Sequence, residues 1–235
     1  MSIAEKFEVI TDAVYEKGKK AEYDSFWDTY QDYGNLTCYD NAFAEGASGN
    51  KWKSGITYKP KYQIKPKTAM NMYYATRLPY EDLKEVDFSD CTDFYSFFAY
   101  SSTTHLGVID MTKATRTNAA FTSCTKLHTI DKIISSVKTA YTANTFSGLS
   151  SLENVIFEGE IGVNVNFQDS TKLSHNSIAS IINALSSSSS GKTFELSRTA
   201  VSKAFESTEG ANDGVESAEW NVLANTKNNW NIVLV

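Results

Sequence analysis

Phe121-Thr-Ser-Cys124-Thr-Lys-Leu127-His-Thr-Ile130 is the stretch on which the reading of the fold turns, because its four apolar landmarks stand three residues apart. Phe146-x-x-Leu149-x-x-Leu152-x-x-Val155 is a looser copy 25 residues on. Working outward, an aromatic residue stands six positions after a Thr or Ala five times: Thr37 to Phe43, Thr68 to Tyr74, Thr92 to Phe98, Thr115 to Phe121 and Ala140 to Phe146. The last four begin 24, 23 and 25 residues apart. A second signature, Leu-x-x-(Val/Ile), follows at Leu83/Val86, Leu106/Ile109, Leu127/Ile130 and Leu152/Val155, and Leu173 trails Phe167 by six as Leu127 trails Phe121. Two landmarks sharing one period near 23 mark an internal repeat.

A unit of that length carries one short strand, such as Leu83 to Phe88, and one turn anchored by the aromatic, and neither buries its apolar face alone. Stacked units would set their strands in one parallel sheet, with the Leu and Val/Ile positions, Phe88, Met111 and Phe157 turned inward. The chain's 12 Gly and 3 Pro are about half the usual share, which fits turns closed by packed side chains.

The Phe121 to Ile130 string resembles the Phe-x-x-Cys-x-x-Leu-x-x-Ile core of the BspA-like leucine-rich repeats, and the likeness spans roughly residues 67–173. It implies an α/β leucine-rich-repeat solenoid with a short parallel sheet, and a scaffold of the kind used for adhesion and binding. The usual proline after the strand is missing, and two extra residues separate Phe98 from Leu106. Tyr15 to Trp27, with Lys59-Pro60-Lys61-Tyr62, is similar to a leader of repeat proteins encoded by bacteria and prophages.

The flanks read differently. Ser2 with Glu5 matches a capping box, and Ile3, Phe7, Ile10 and Val14 recur at helical spacing, so residues 1–34 are expected to form an N-terminal helix ending at Gly34. The same spacing is a short coiled-coil seam interrupted by Lys17. Packing on its own chain, hence a monomer, is favoured, with oligomerisation through this helix as the alternative. Residues 35–66 read as an irregular connector and 67–173 as the repeats. Residues 174–235 read as an α/β cap: helical spacing at Ile178, Ile181, Ile182 and Leu185, short helices around Val201 and Trp220, and strands at Thr193–Leu196 and Trp230–Val235. Both strands are expected to extend the same parallel sheet, with the helices sealing its end.

Composition narrows the function classes. With 22 basic and 28 acidic side chains the net charge is −6, which lacks the basic footprint of a nucleic-acid binder. No apolar run is long enough to span a bilayer, so no membrane insertion is expected. The start of the chain shows no secretory pattern. Synthesis in the cytoplasm, with a virion or the cell surface as destination, is the resulting expectation. Cys38, Cys91 and Cys124 and the three histidines show no metal-ligand spacing, so no metal and no cofactor is expected, and the cysteines read as small buried hydrophobes.

Two surfaces stand out. Asp87, Asp110 and Asp131 each follow an inward position by one, which predicts three carboxylates on adjacent strands about 4.8 Å apart. Either Lys84, Lys113 and Lys132 neutralise them on a solvated face, or they form a site for a cation, sugar hydroxyls or a basic partner; Ca²⁺ would need further oxygens. The cluster Phe94 to Tyr100, with Tyr73 and Tyr74, cannot bury every ring, so Tyr95 and Tyr100 are candidates for a contact surface, against packing beneath the connector. Hydrolase elbows, phosphate loops and zinc-protease motifs are absent, and Cys124 with His128 is not a dyad because Cys124 takes the packed slot held by Leu149 in the next unit. The expected function is a non-enzymatic binding or adhesion module for a protein or cell-surface glycan. The alternative is a phage tail or virion component assembling through its N-terminal helix.

Overall fold

The computed structural model describes residues 65–76, 86–206 and 213–235. The expected N-terminal helix, nearly all of the connector, and the strand positions Leu83 to Glu85 lie outside the described residues. Where the apolar triplets predict strands, three form: β1 (His105–Asp110), β2 (Thr129–Ser135) and β3 (Asn154–Gly159), parallel and in the order β1-β2-β3. Leu106, Ile109, Ile130, Ile133, Val155 and Phe157 turn inward and are buried. The register aligns Leu106 with Ile130 and Ile109 with Ile133, and then Ile130 with Val155 and Ile133 with Phe157.

The turns that precede these strands stack by backbone hydrogen bonds between equivalent residues of successive units. Tyr73 N–H donates to Phe97 O, Phe98 N–H to Ala120 O, and Phe121 N–H to Thr145 O. Their rings form a column: Tyr73 on Phe98 at 4.9 Å and 16°, Phe98 on Phe121 at 6.2 Å and 9°, Phe121 on Phe146 at 5.6 Å and 5°. Each ring is buried, so the column contributes area burial as well as offset stacking.

Side-chain packing is only part of why the chain needs so little glycine. The turns do require left-handed backbone, and non-glycine residues adopt it: Asn71 and Ala75, Ser96 and Tyr100, Ala119 and Ser123, with φ between 49° and 62°. The pairs recur with the repeat, and Gly148, at φ 72°, takes the place of the second member in the next unit. Left-handed backbone costs an L-residue roughly 1–2 kcal/mol, so buried rings and stacked amides hold these turns against strain.

A leucine-rich-repeat solenoid with one parallel sheet is not what forms. The architecture is mixed α/β with two separate three-stranded parallel sheets. The second contains β4 (Val165–Phe167), β5 (Lys192–Leu196) and β6 (Trp230–Leu234), in that order, with Val165, Phe194 and Ile232 in line. Before β1 the described residues form no strand ladder: units meet through the stacked turn amides and through the isolated bridges Thr68 to Asp93 and Asp93 to Arg116.

The break has a local cause in α1 (His175–Ala184), which occupies the edge of β3 where a fourth strand would pair. Ser177 Oγ accepts from Val155 N–H at 2.9 Å and donates to Glu153 O at 2.9 Å; Ser180 Oγ accepts from Phe157 N–H at 2.8 Å. Serines three apart on a helix thus satisfy amides two apart on a strand, and the sheet stops at three. The predicted strands β5 and β6 do form, with α2 (Arg198–Ala204) and α3 (Ala218–Asn225) between them, but they extend the second sheet and not the first. The ring column bridges the gap, since Phe167 of β4 stacks on Phe146 at 4.6 Å and 17°.

Ser177→Ala leaves the fully buried Val155 N–H without an acceptor, a loss of about 1–3 kcal/mol. Chemical denaturation and amide exchange at Val155 measure it; unchanged stability with a protected Val155 amide would refute this closure of the edge.

Candidate functional site

The outward face of β1–β3 alternates regularly on β3 and is interrupted on β2, where a register shift between Ile130 and Ile133 leaves two residues between inward positions. On β1, Val108 points out and is 52% exposed; on β3, Ile156 points out and is 41% exposed. Between them β2 contributes Asp131, Lys132 and Ile134, all half-buried. Charges on this face are paired across strands. His105 Nε2 lies 2.7 Å from Asp131 Oδ1, and Lys132 Nζ reaches Glu158 Oε2. His128 and Glu153, one residue before β2 and β3, approach at 3.5 Å. The face therefore offers apolar side chains among polar groups already paired with one another.

The predicted row of three carboxylates does not assemble. Asp110 aligns with Ile134 and not with Asp131, because β1 pairs with β2 three residues further along than the Leu-x-x-Ile signature implies. Leu127, Ile130 and Ile133 all carry apolar side chains three apart, so the signature fits two registers equally well, and the structure uses the later one. Each carboxylate has its own partners. Asp110 Oδ1 accepts from Thr112 N–H at 2.9 Å and Thr112 Oγ1 at 2.7 Å, while Asp87 Oδ1 accepts from Ser89 N–H at 2.9 Å.

The lysines expected to neutralise the row act elsewhere. Lys113 binds Asp90 and Lys132 binds Glu158, while Lys84 lies outside the described residues. Lys65 bridges Asp87 at 3.4 Å and Asp90 at 3.2 Å. Partial burial pushes the Asp87 carboxyl up, but its hydrogen bonds from Ser89 and the nearby Lys65 ammonium outweigh that and hold it below the usual carboxylate value.

The aromatic cluster divides. Tyr73, Phe94, Phe97 and Phe98 are buried. Tyr95 is half-buried and covered by the Arg116 guanidinium, 4.1 Å above its ring, which in turn pairs with Asp93 at 3.1 Å. Tyr100 is 57% exposed and leans on Tyr74 with ring centroids 5.5 Å apart. Of the two tyrosines singled out by sequence, Tyr100 presents an open ring and Tyr95 does not.

Cys91 and Cys124 are buried thiols. Burial pushes the Cys124 thiol up to about 12, and its Sγ–H donates to Phe98 O at 2.9 Å, so it is neutral near pH 7. His128 faces Glu153 instead of the thiol. Among the described residues no three His, Cys, Asp or Glu side chains gather into a metal-binding group, and no helix is long and apolar enough to cross a membrane.

Sequence reasoning missed Val108 and Ile156, although the signal is present: Val155-Ile156-Phe157 and Val108-Ile109 are consecutive apolar residues, and regular strand alternation sends neighbours to opposite sides. Comparison with protein-family models, with curated proteins and with solved structures finds no match to this chain.

Two outcomes are expected. Cys124 in the native protein resists alkylation by iodoacetamide at about pH 8 and reacts on unfolding, as peptide mass spectrometry would register; rapid native labelling would contradict its burial. Because the Asp87 value is depressed, its stabilising contribution is complete above the ordinary carboxylate value, about pH 4, and is lost as pH falls through the lower folded value. Asp87→Asn should therefore flatten the acid limb of a melting-temperature profile below about pH 4, and an unaltered limb would rule out this linkage.

Proposed function

We propose that the chain is a non-enzymatic binding module whose partner, a protein or a cell-surface glycan, is engaged across the outward face of β1–β3. The observation that carries the reading is the exposure of Val108 and Ile156, at 52% and 41%, on strands whose other face is fully packed. Two apolar side chains held on a sheet among polar groups that are already paired suit a partner that removes them from water. The likeness of Phe121 to Ile130 to repeats used in adhesion supports the same reading. A non-enzymatic role is supported by the burial of Cys124 and by Asp87 and Asp110, whose carboxylates are engaged in capping backbone turns.

The labelled chain, presented to a printed glycan array and a printed protein array, should bind saturably on one of them. Val108→Lys with Ile156→Lys should weaken that binding at least tenfold while the melting temperature stays within about 2 °C, as expected for exposed positions. Absence of saturable binding on both arrays, or undiminished binding by the double variant, would count against the proposal.

A further inference from the structure

Beside the outward face, α1 and the end of β3 enclose an open groove of about 460 Å³. Its size lies within the range of small-ligand sites, about 300–1,000 Å³. The groove follows from how the helix is attached. Ser177 meets Val155 N–H and Ser180 meets Phe157 N–H, and the strand alternation places the next edge amide at Gly159. One turn beyond Ser180 the helix offers Asn183, not a third serine, and the contact opens. β3 ends at Gly159, where φ is +86° and a Cβ would meet Ser135 O at 2.1 Å, so the position requires glycine.

The lining is chemically uniform. No residue in it is titratable, so nothing in the groove selects an ionised ligand. Asn176, Ser180 and Asn183 recur at i, i+4 and i+7 on one helix face, with Ala179 between them and Phe157 beside them. Asn176 and Asn183 are exposed, and among the described residues their side-chain amides have no protein hydrogen-bond partner. An amide presents two donors and an acceptor, the complement of a pair of neighbouring hydroxyls, while the half-buried Ala179 between them offers a small apolar surface for C–H groups.

We infer that this groove binds an uncharged saccharide unit, with the Asn176 and Asn183 amides holding its hydroxyls beside the Ala179 methyl group. The inference rests on the binding-module reading and assigns its glycan arm to this groove. A peptide would be a poorer match, since the edge amides of Val155 and Phe157 that strand addition would use are already taken by serines.

The test is a titration of the full chain, labelled with ¹⁵N, with neutral trisaccharides (maltotriose, cellotriose, chitotriose and mannotriose), and with heparin disaccharide as the charged control. The expected result is a saturable shift of the Asn176 and Asn183 side-chain amides and the Gly159 amide with at least one neutral trisaccharide, and none with the control. Asn176→Ala with Asn183→Ala should weaken that binding at least tenfold, and Ala179→Leu, which fills the groove and leaves both amides in place, should weaken it likewise. The inference is overturned if no neutral trisaccharide shifts these amides, if the shifts map to Tyr74 and Tyr100, or if the variants bind unchanged. Binding that maps elsewhere, or array binding that depends only on Val108 and Ile156, would overturn the groove assignment and leave the binding-module reading standing.

Discussion

Phe146 is the residue on which the two halves of the structure depend. It stacks on Phe121 below, at 5.6 Å, and on Phe167 above, at 4.6 Å, and meets Phe157 of β3 edge-on at 6.0 Å. Phe121 belongs to the turns that feed the first sheet and Phe167 to the first strand of the second. No strand pairing joins the two sheets, so this ring contact, together with the edge-on contact of Phe157 with Phe167 at 6.1 Å, the Ile161 to Leu185 bridge and the α1 serines, makes one core of them. A stacked ring column tolerates a change of strand partner because aromatic packing is set by ring position and not by ladder register.

That tolerance shapes the surface. If β3 had paired with another strand, its edge would be an uninterrupted ladder. Instead α1 meets that edge through two serine hydroxyls, and where the serines stop a groove begins, lined by small and neutral polar side chains. On the other face of the same strands the inward triplets leave Val108 and Ile156 outside, bordered by His105 with Asp131 and Lys132 with Glu158. Both surfaces follow from β3: one from its alternation, the other from the way it ends.

Most of the apolar core was legible from the sequence alone, because inward positions are marked by residue type; in the first unit the landmark Tyr74 was off by one, since Tyr73 takes the place in the ring column. Phe98, Phe121, Phe146, Leu106, Ile109, Leu127, Ile130, Leu152, Val155 and Leu173 are all buried, and α1, β5, α2, α3 and β6 form where spacing places them. Register was not legible. A run such as Leu127-x-x-Ile130-x-x-Ile133 satisfies two alignments with the same buried set, and only the paired strand decides between them; the aspartate row was a casualty of that degeneracy. The division into two sheets was equally hidden, since it depends on Ser177 and Ser180 acting as acceptors for strand amides, a role that serine spacing alone does not announce. Nor does composition reveal that Ala75, Ala119 or Tyr100 sits in left-handed backbone, a conformation their side chains disfavour and the surrounding stack imposes.

Native-state hydrogen exchange of Phe146→Ala tests the central claim most directly, by following peptides from β1–β3 and from β4–β6 separately. Removing a fully buried phenylalanine typically costs about 3–5 kcal/mol. If the ring joins the two sheets into one core, protection should fall in both sets of peptides together and by similar factors. Loss of protection confined to one sheet, with the other exchanging as in the unaltered protein, would contradict the account.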